Sequence, residues 1–169
     1  MAIRRVASVV ALLTIAVWLG GLVALGALAA PVVFSVVPLP MAADAMTLVF
    51  RRFDVVAMTC AAVILLSEAV RAVSQRSFAR VDIARGVVSA IAAVVAVVQG
   101  AQVSPRIAGL HAAGVSRGLG ASGLELSRLH GLAELLGQVQ VLLLATAVVL
   151  HVAALSQSRA SSRDMRASP

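Results

Sequence analysis

Residues Leu124–Leu155 run LELSRLHGLAELLGQVQVLLLATAVVLHVAAL. The segment is apolar and helix-forming and exceeds the length needed to cross a membrane, about 20 residues. It carries one ordered polar stripe: His130, Glu134 and Gln138, spaced four apart. That spacing puts the three side chains on one helical face. A polar face on a membrane helix is costly unless it points at protein or trapped water. The stripe therefore marks the side of this helix that faces the interior of a bundle.

Composition supports the same reading. The 169-residue chain is 61% hydrophobic and 12% charged, with a mean hydropathy of +1.03. A soluble domain is nearer half apolar and a quarter charged. The chain is therefore read as one integral membrane domain embedded in a lipid bilayer. Every one of its 14 basic residues is arginine, which fits a coding bias in a GC-rich, bacterial genome. The net charge of +7 does not indicate nucleic-acid binding. The arginines sit at segment ends, where basic residues face anionic lipid. Cys60 is the sole cysteine, so no disulfide can form within the chain. Inside an apolar run it reads as a small buried hydrophobe.

Working outward, the pattern predicts an all-α fold, a four-transmembrane-helix bundle with spans near residues 6–30, 53–73, 81–103 and 130–155. The first span opens after Arg4 and Arg5 and ends in small residues. At about 24 apolar residues it is too long for a signal-peptide core of roughly 7–15. Pro31, Pro38 and Pro40 predict its end and an extended turn. Met41–Arg52 then reads as a short interfacial helix. The second span carries Asp54 and Glu68 on one face. Either acid could form a local ion pair, Asp54 beside Arg51 and Arg52, Glu68 beside Arg71. Alternatively the two mark the mouths of a polar path. A basic loop with Arg76 and Arg80 leads to the third span, whose Gly86, Ser89, Ala90 and Ala93 suit close helix packing. Gln99 and Gln102 lie near its far end. Residues 104–122 read as a loose loop.

Residues 118–123, GLGASG, match the dinucleotide-binding glycine pattern literally. That motif requires a preceding strand and a βαβ unit, and neither is predicted. Ser122 and Glu125 instead have the spacing of a capping box, so the last helix is expected to begin near Gly123. At some 33 residues, or about 50 Å, it outruns the hydrocarbon core. The tail 157–169 is polar and expected to be disordered.

Nine of the 14 arginines flank the N-terminus, the second loop and the C-terminus. The positive-inside rule then puts both termini in the cytoplasm of a bacterial inner membrane.

Several short motifs carry a family likeness: VWLGG (17–21), AP-x-x-F (30–34), FRRFD (50–54), PRI (105–107) and SRLHGL (127–132). In this order they resemble the transmembrane-protein-205-like family, a membrane domain of unknown function. The resemblance implies a four-helix membrane fold. It singles out Trp18, Gly21, Pro31, Phe34, Arg52, Pro105 and His130.

Three functional classes follow. A non-catalytic membrane subunit or scaffold would use the stripe to hold helices together, with a homo-oligomer or another membrane protein as partner. A permeation protein would pass a small solute, ion or proton along His130, Glu134, Gln138, Asp54 and Glu68. A metal or haem site would use His130. His130 and His151 lie about 31 Å apart along one helix and cannot share a metal. His111 could join His130 only if the glycine-rich loop folds back. One or two histidines fall short of the three or four protein ligands of a zinc site, so no cofactor is expected. No nucleophile, base and orienting group occur together, so no enzyme is expected.

Overall fold

The computed structural model describes residues 2–74 and 79–167, with side-chain surroundings described through residue 154 except at 2 and 40. Arg76 lies outside the described residues.

The chain order is α1 (Ala2–Val23), a π-helical stretch (Ala24–Ala29), α2 (Ala30–Val36), α3 (Leu39–Val73), α4 (Arg80–Val98), a second π-helical stretch (Gln99–Val103), α5 (Ser104–Ala112) and α6 (Gly120–Ala167). These join into four rods long and apolar enough to cross a membrane: Ile3–Val36, Met41–Val73, Arg80–Ala112 and Gly120–Ala154. Helix α1 packs between α3 and α6, and α4 packs on their other side. The four-helix bundle expected from the sequence is the fold.

Size sorts residues between inside and outside. Ala7, Ala11, Ala57, Ala61, Ala92, Ala93, Ala96 and Ala147 are buried, while Leu13, Val17, Val55, Leu66, Val94 and Val149 are exposed. In lipid the apolar surround is as good a solvent for leucine as the core. Helix contact is then set by close packing of small residues. The central layer adds larger pieces, Ile15, Trp18, Ile64 and Leu144. Gly21 matters here: a Cβ at that position would overlap the Phe53 ring, so its absence lets α1 approach α3.

The rods differ from the expected spans in five places, for local reasons. Pro31 does not end the first rod, which continues to Val36. Proline lacks an N–H and crowds the carbonyl four residues earlier. For Pro31 that residue is Ala27, inside the first π-helical stretch. For Pro105 it is Ala101, inside the second. Each widened turn absorbs the proline, so the rod continues without breaking. For the same reason residues 104–112 are helical and not part of a loop.

Met41–Arg52, expected as a separate interfacial helix, is the first part of α3 itself. The expected Ser122–Glu125 capping box does not start α6. That helix begins two residues before Ser122, at Gly120, and Glu125 instead accepts a bond from Arg106 Nε at 2.6 Å. The tail expected to be disordered continues α6 as helix to Ala167. The glycines of GLGASG serve the turn before α6. Gly118 and Gly120 have φ of 80° and 65°, and a Cβ on Gly123 would overlap the Ser116 carbonyl.

Candidate functional site

The two ends of the bundle are built differently. Toward the end that holds the chain's N-terminus, the helices close on an ionic cluster. Arg85 of α4 is 1% exposed. Its Nε and Nη2 donate to the two Glu68 carboxylate oxygens at 2.8 and 3.0 Å. Its Nη1 donates to Asp82 at 2.9 Å. Arg71 stands 3.7 Å from Glu68 and 3.8 Å from Asp82. From α6, His151 Nδ1 lies 2.8 Å from the Ala147 carbonyl. A carbonyl only accepts, so that nitrogen donates. His151 Nε2 then faces Glu68 at 3.3 Å. Two rods are thus tied by charge at one level, and His151 of the third faces the same carboxylate. Glu68 pairs chiefly across helices with Arg85, and Arg71, its partner in the local reading, is the more distant cation. It is also remote from the stripe.

Above the cluster lies the packed layer of Ile15, Trp18, Ala57, Ile64, Ala93 and Leu144, each at most 5% exposed. Trp18 is fully buried and donates from Nε1 to Gln140 Oε1 at 3.1 Å. Beyond this layer the bundle opens. Past the first π-helical stretch, α2 packs chiefly against α3. The second π-helical stretch and α5 stay wedged between α3 and α6.

The gap is a cavity of about 800 Å³. His130, Glu134 and Gln138 of α6 line it, and so does Asp54 of α3. The structure thus brings four of the five stripe and pathway residues together and leaves Glu68 out. The further polar lining is Thr47, Gln99, Ser104, Gln140, Arg51 and Arg117, and the apolar walls include Leu22, Phe34, Met46, Phe53 and Ile107. The volume falls in the range of small-molecule sites, about 300–1,000 Å³.

Asp54 is the most buried acid of this wall, 8% exposed. Its side chain lies beside Ser104, while its Oδ2 is buried without a hydrogen-bond partner among the described residues. The Gln99 Oε1 is in the same condition. Gly100 sits against this corner: a Cβ there would stand 3.2 Å from Asp54 Cβ and 3.1 Å from Met58 Sδ. The second π-helical stretch therefore presents a bare backbone next to the acid.

Gln140, Gln99 and Ser104 were not singled out as site residues from sequence. Gln140 is two residues beyond Gln138, off the four-residue stripe, and only its bond to Trp18 shows its place. From sequence Gln99 reads only as a polar residue at a helix end. Ser104 fell in a segment read as loop.

His111 and His130 meet edge to face, with ring centroids 5.5 Å apart. His111 is carried on α5, so the meeting needs no folded-back loop. His130 Nδ1 donates to the Leu126 carbonyl at 2.9 Å. Among the described residues no three His, Cys, Asp or Glu side chains group closely enough to hold a metal ion.

Of the motif positions, Trp18 sits in the packed layer and reaches the cavity only through its bond to Gln140, and Gly21 accommodates Phe53. Phe34 lines the wall, and Pro31 and Pro105 follow the two widened turns. Arg52 is exposed. No curated protein and no solved structure matches the chain. A family model does match, over residues 13–116, which include Asp54, Gln99 and Ser104 but not the α6 stripe. The chain belongs to that family, described as a domain of unknown function, DUF4149.

Proposed function

We propose that this protein is a non-catalytic membrane protein that holds a small amphiphilic solute within one half of the bilayer. The observation that carries the reading is the cavity. It gathers the stripe and Asp54 on one side of a packed layer in which Trp18 is bonded to Gln140 of the cavity wall. A stripe serving only to glue helices would be sealed between them, whereas Glu134 and Gln138 are exposed along the cavity wall. Open permeation fits less well, because Ile15, Trp18, Ile64 and Leu144 and then the ionic cluster stand across any path. In the orientation favoured by arginine placement, the termini and the ionic cluster are cytoplasmic and the cavity opens in the outer half of a bacterial inner membrane. The motif order supports kinship with the transmembrane-protein-205-like family. A second copy or another membrane protein remains a fitting neighbour for the exposed apolar faces.

The sole tryptophan makes occupancy measurable, since Trp18 is bonded to a residue of the cavity wall. A piperidine nitroxide carrying a hydroxyl group is titrated onto protein in liposomes. Its quenching of Trp18 fluorescence is expected to saturate. Gly137 lines the cavity, and a Cβ there meets nothing within 4 Å. Gly137→Leu should therefore fill space without displacing backbone, and replaces a poor helix former by a better one, by up to about 1 kcal/mol. It is expected to abolish the saturating component while leaving the protein folded. Quenching that rises linearly and is equal in both proteins would refute the binding reading. In the same liposomes wild-type protein and Glu134→Gln are expected to pass protons and ions no faster than empty vesicles. A leak in wild type that Glu134→Gln removes would establish permeation instead.

A further inference from the structure

We infer that the solute is a cation bearing N–H donors, an amine-headed amphiphile, with Asp54 as the group that selects it. This rests on the binding reading above and specifies its chemistry. The cavity wall holds two buried acceptors with no partner among the described residues, Asp54 Oδ2 and Gln99 Oε1. Buried acceptors are normally satisfied, and one left bare in a low-dielectric site is costly. Both residues line the same space. What that corner lacks is a donor, and an ammonium group is the donor that also neutralises the carboxylate.

The cations of the wall donate no hydrogen bond to Asp54 Oδ2. Arg51 acts on Asp54 through space only, and Arg51 and Arg117 are both exposed, where long arginine side chains at a membrane interface extend toward headgroups. His130 gives its Nδ1 hydrogen to the Leu126 carbonyl. Glu134 adds a second carboxylate along the same wall. Facing these groups, Phe34, Phe53, Met46 and Leu22 offer a compact apolar surface, which suits the body of an amphiphile. Aromatic faces also attract cations.

The test uses three nitroxides of one skeleton, carrying an amine, a hydroxyl or a carboxylate. Each is titrated against Trp18 fluorescence in liposomes containing the full-length protein. The amine is expected to saturate at a concentration about ten- to a hundred-fold below the hydroxyl compound, the value of one charge-assisted hydrogen bond. The carboxylate should be the weakest. Asp54→Asn is expected to erase the preference for the amine over the hydroxyl compound. The charge series on wild-type protein stands even if that variant fails to fold.

Equal saturation by amine and hydroxyl compounds would overturn the cation assignment and leave the binding reading intact. Tightest quenching by the carboxylate would also overturn it, in favour of an anion held by Arg51 and Arg117. Linear quenching by all three, unchanged in Gly137→Leu, would remove both readings together, with the cavity filled by water or lipid.

Discussion

Replacing Arg85 by methionine is expected to destabilise the bundle by about 3–5 kcal/mol, the usual consequence of removing one partner from a buried ion pair. Arg85 is 1% exposed and supplies both donors to Glu68 and one to Asp82. Its loss leaves two carboxylates facing Arg71 alone, at 3.7 and 3.8 Å, with His151 opposite Glu68. Glu68→Met is expected to be damaging for the mirror reason, since Arg85 and Arg71 are then left with Asp82. The double variant, Glu68→Met with Arg85→Met, is expected to recover most of the loss. It removes one charge of each sign, and apolar replacement of a whole buried pair is often close to neutral. Unfolding in mixed micelles with increasing denaturing detergent reads all four corners of the cycle. Single and double variants that lose stability additively would mean that the cluster is not energetically coupled, despite its geometry.

Trp18→Ala is the second large expected effect, at about 3–5 kcal/mol for truncating a fully buried aromatic. Two terms contribute. The packed layer loses its largest member, and Gln140, 2% exposed, loses the donor to its Oε1. Trp18→Phe separates them: it keeps most of the volume and removes the N–H, so it should cost only about 1 kcal/mol from the bond. A loss as large as that of the alanine variant would show that the hydrogen bond to Gln140, and not volume, holds the packed layer. Trp18→Ala is also expected to let protons through liposomes faster than wild-type protein does, because the packed layer separates the cavity from the ionic cluster. Unchanged flux would place the barrier in the remaining layer of Ile15, Ile64 and Leu144.

The stripe illustrates how far periodicity carries. A spacing of four places His130, Glu134 and Gln138 on one helical face whatever surrounds them, and the structure keeps them together on one cavity wall. Polarity alone groups Asp54 and Glu68 with them, and of the two only Asp54 lines the cavity. Both acids lie on the second rod, but fourteen residues, about 21 Å of helix, separate them. One therefore faces the cavity and the other the ionic cluster. The partner that matters most to Glu68 is Arg85, seventeen residues away across a turn, and no local pattern points to that pairing.

The prolines show the opposite limit. Pro31 and Pro105 are strong local signals for ending a helix, and in isolation both would do so. Here each is absorbed by a π-helical turn, since the membrane-spanning rods gain more from continuous internal hydrogen bonding than from a break. Hydropathy, length and arginine placement alone determined that this is a four-rod helical membrane domain with a polar face on its last helix. Those properties depend on transfer from water to lipid and on helical period, which are additive along a chain. Only the tertiary structure decided that α2 packs on α3, that one cavity gathers Asp54, Gln99 and the stripe, and that Trp18 bonds to Gln140 of its wall. Those features arise where residues of separate rods meet, and which residues meet depends on neighbours that the local sequence does not contain.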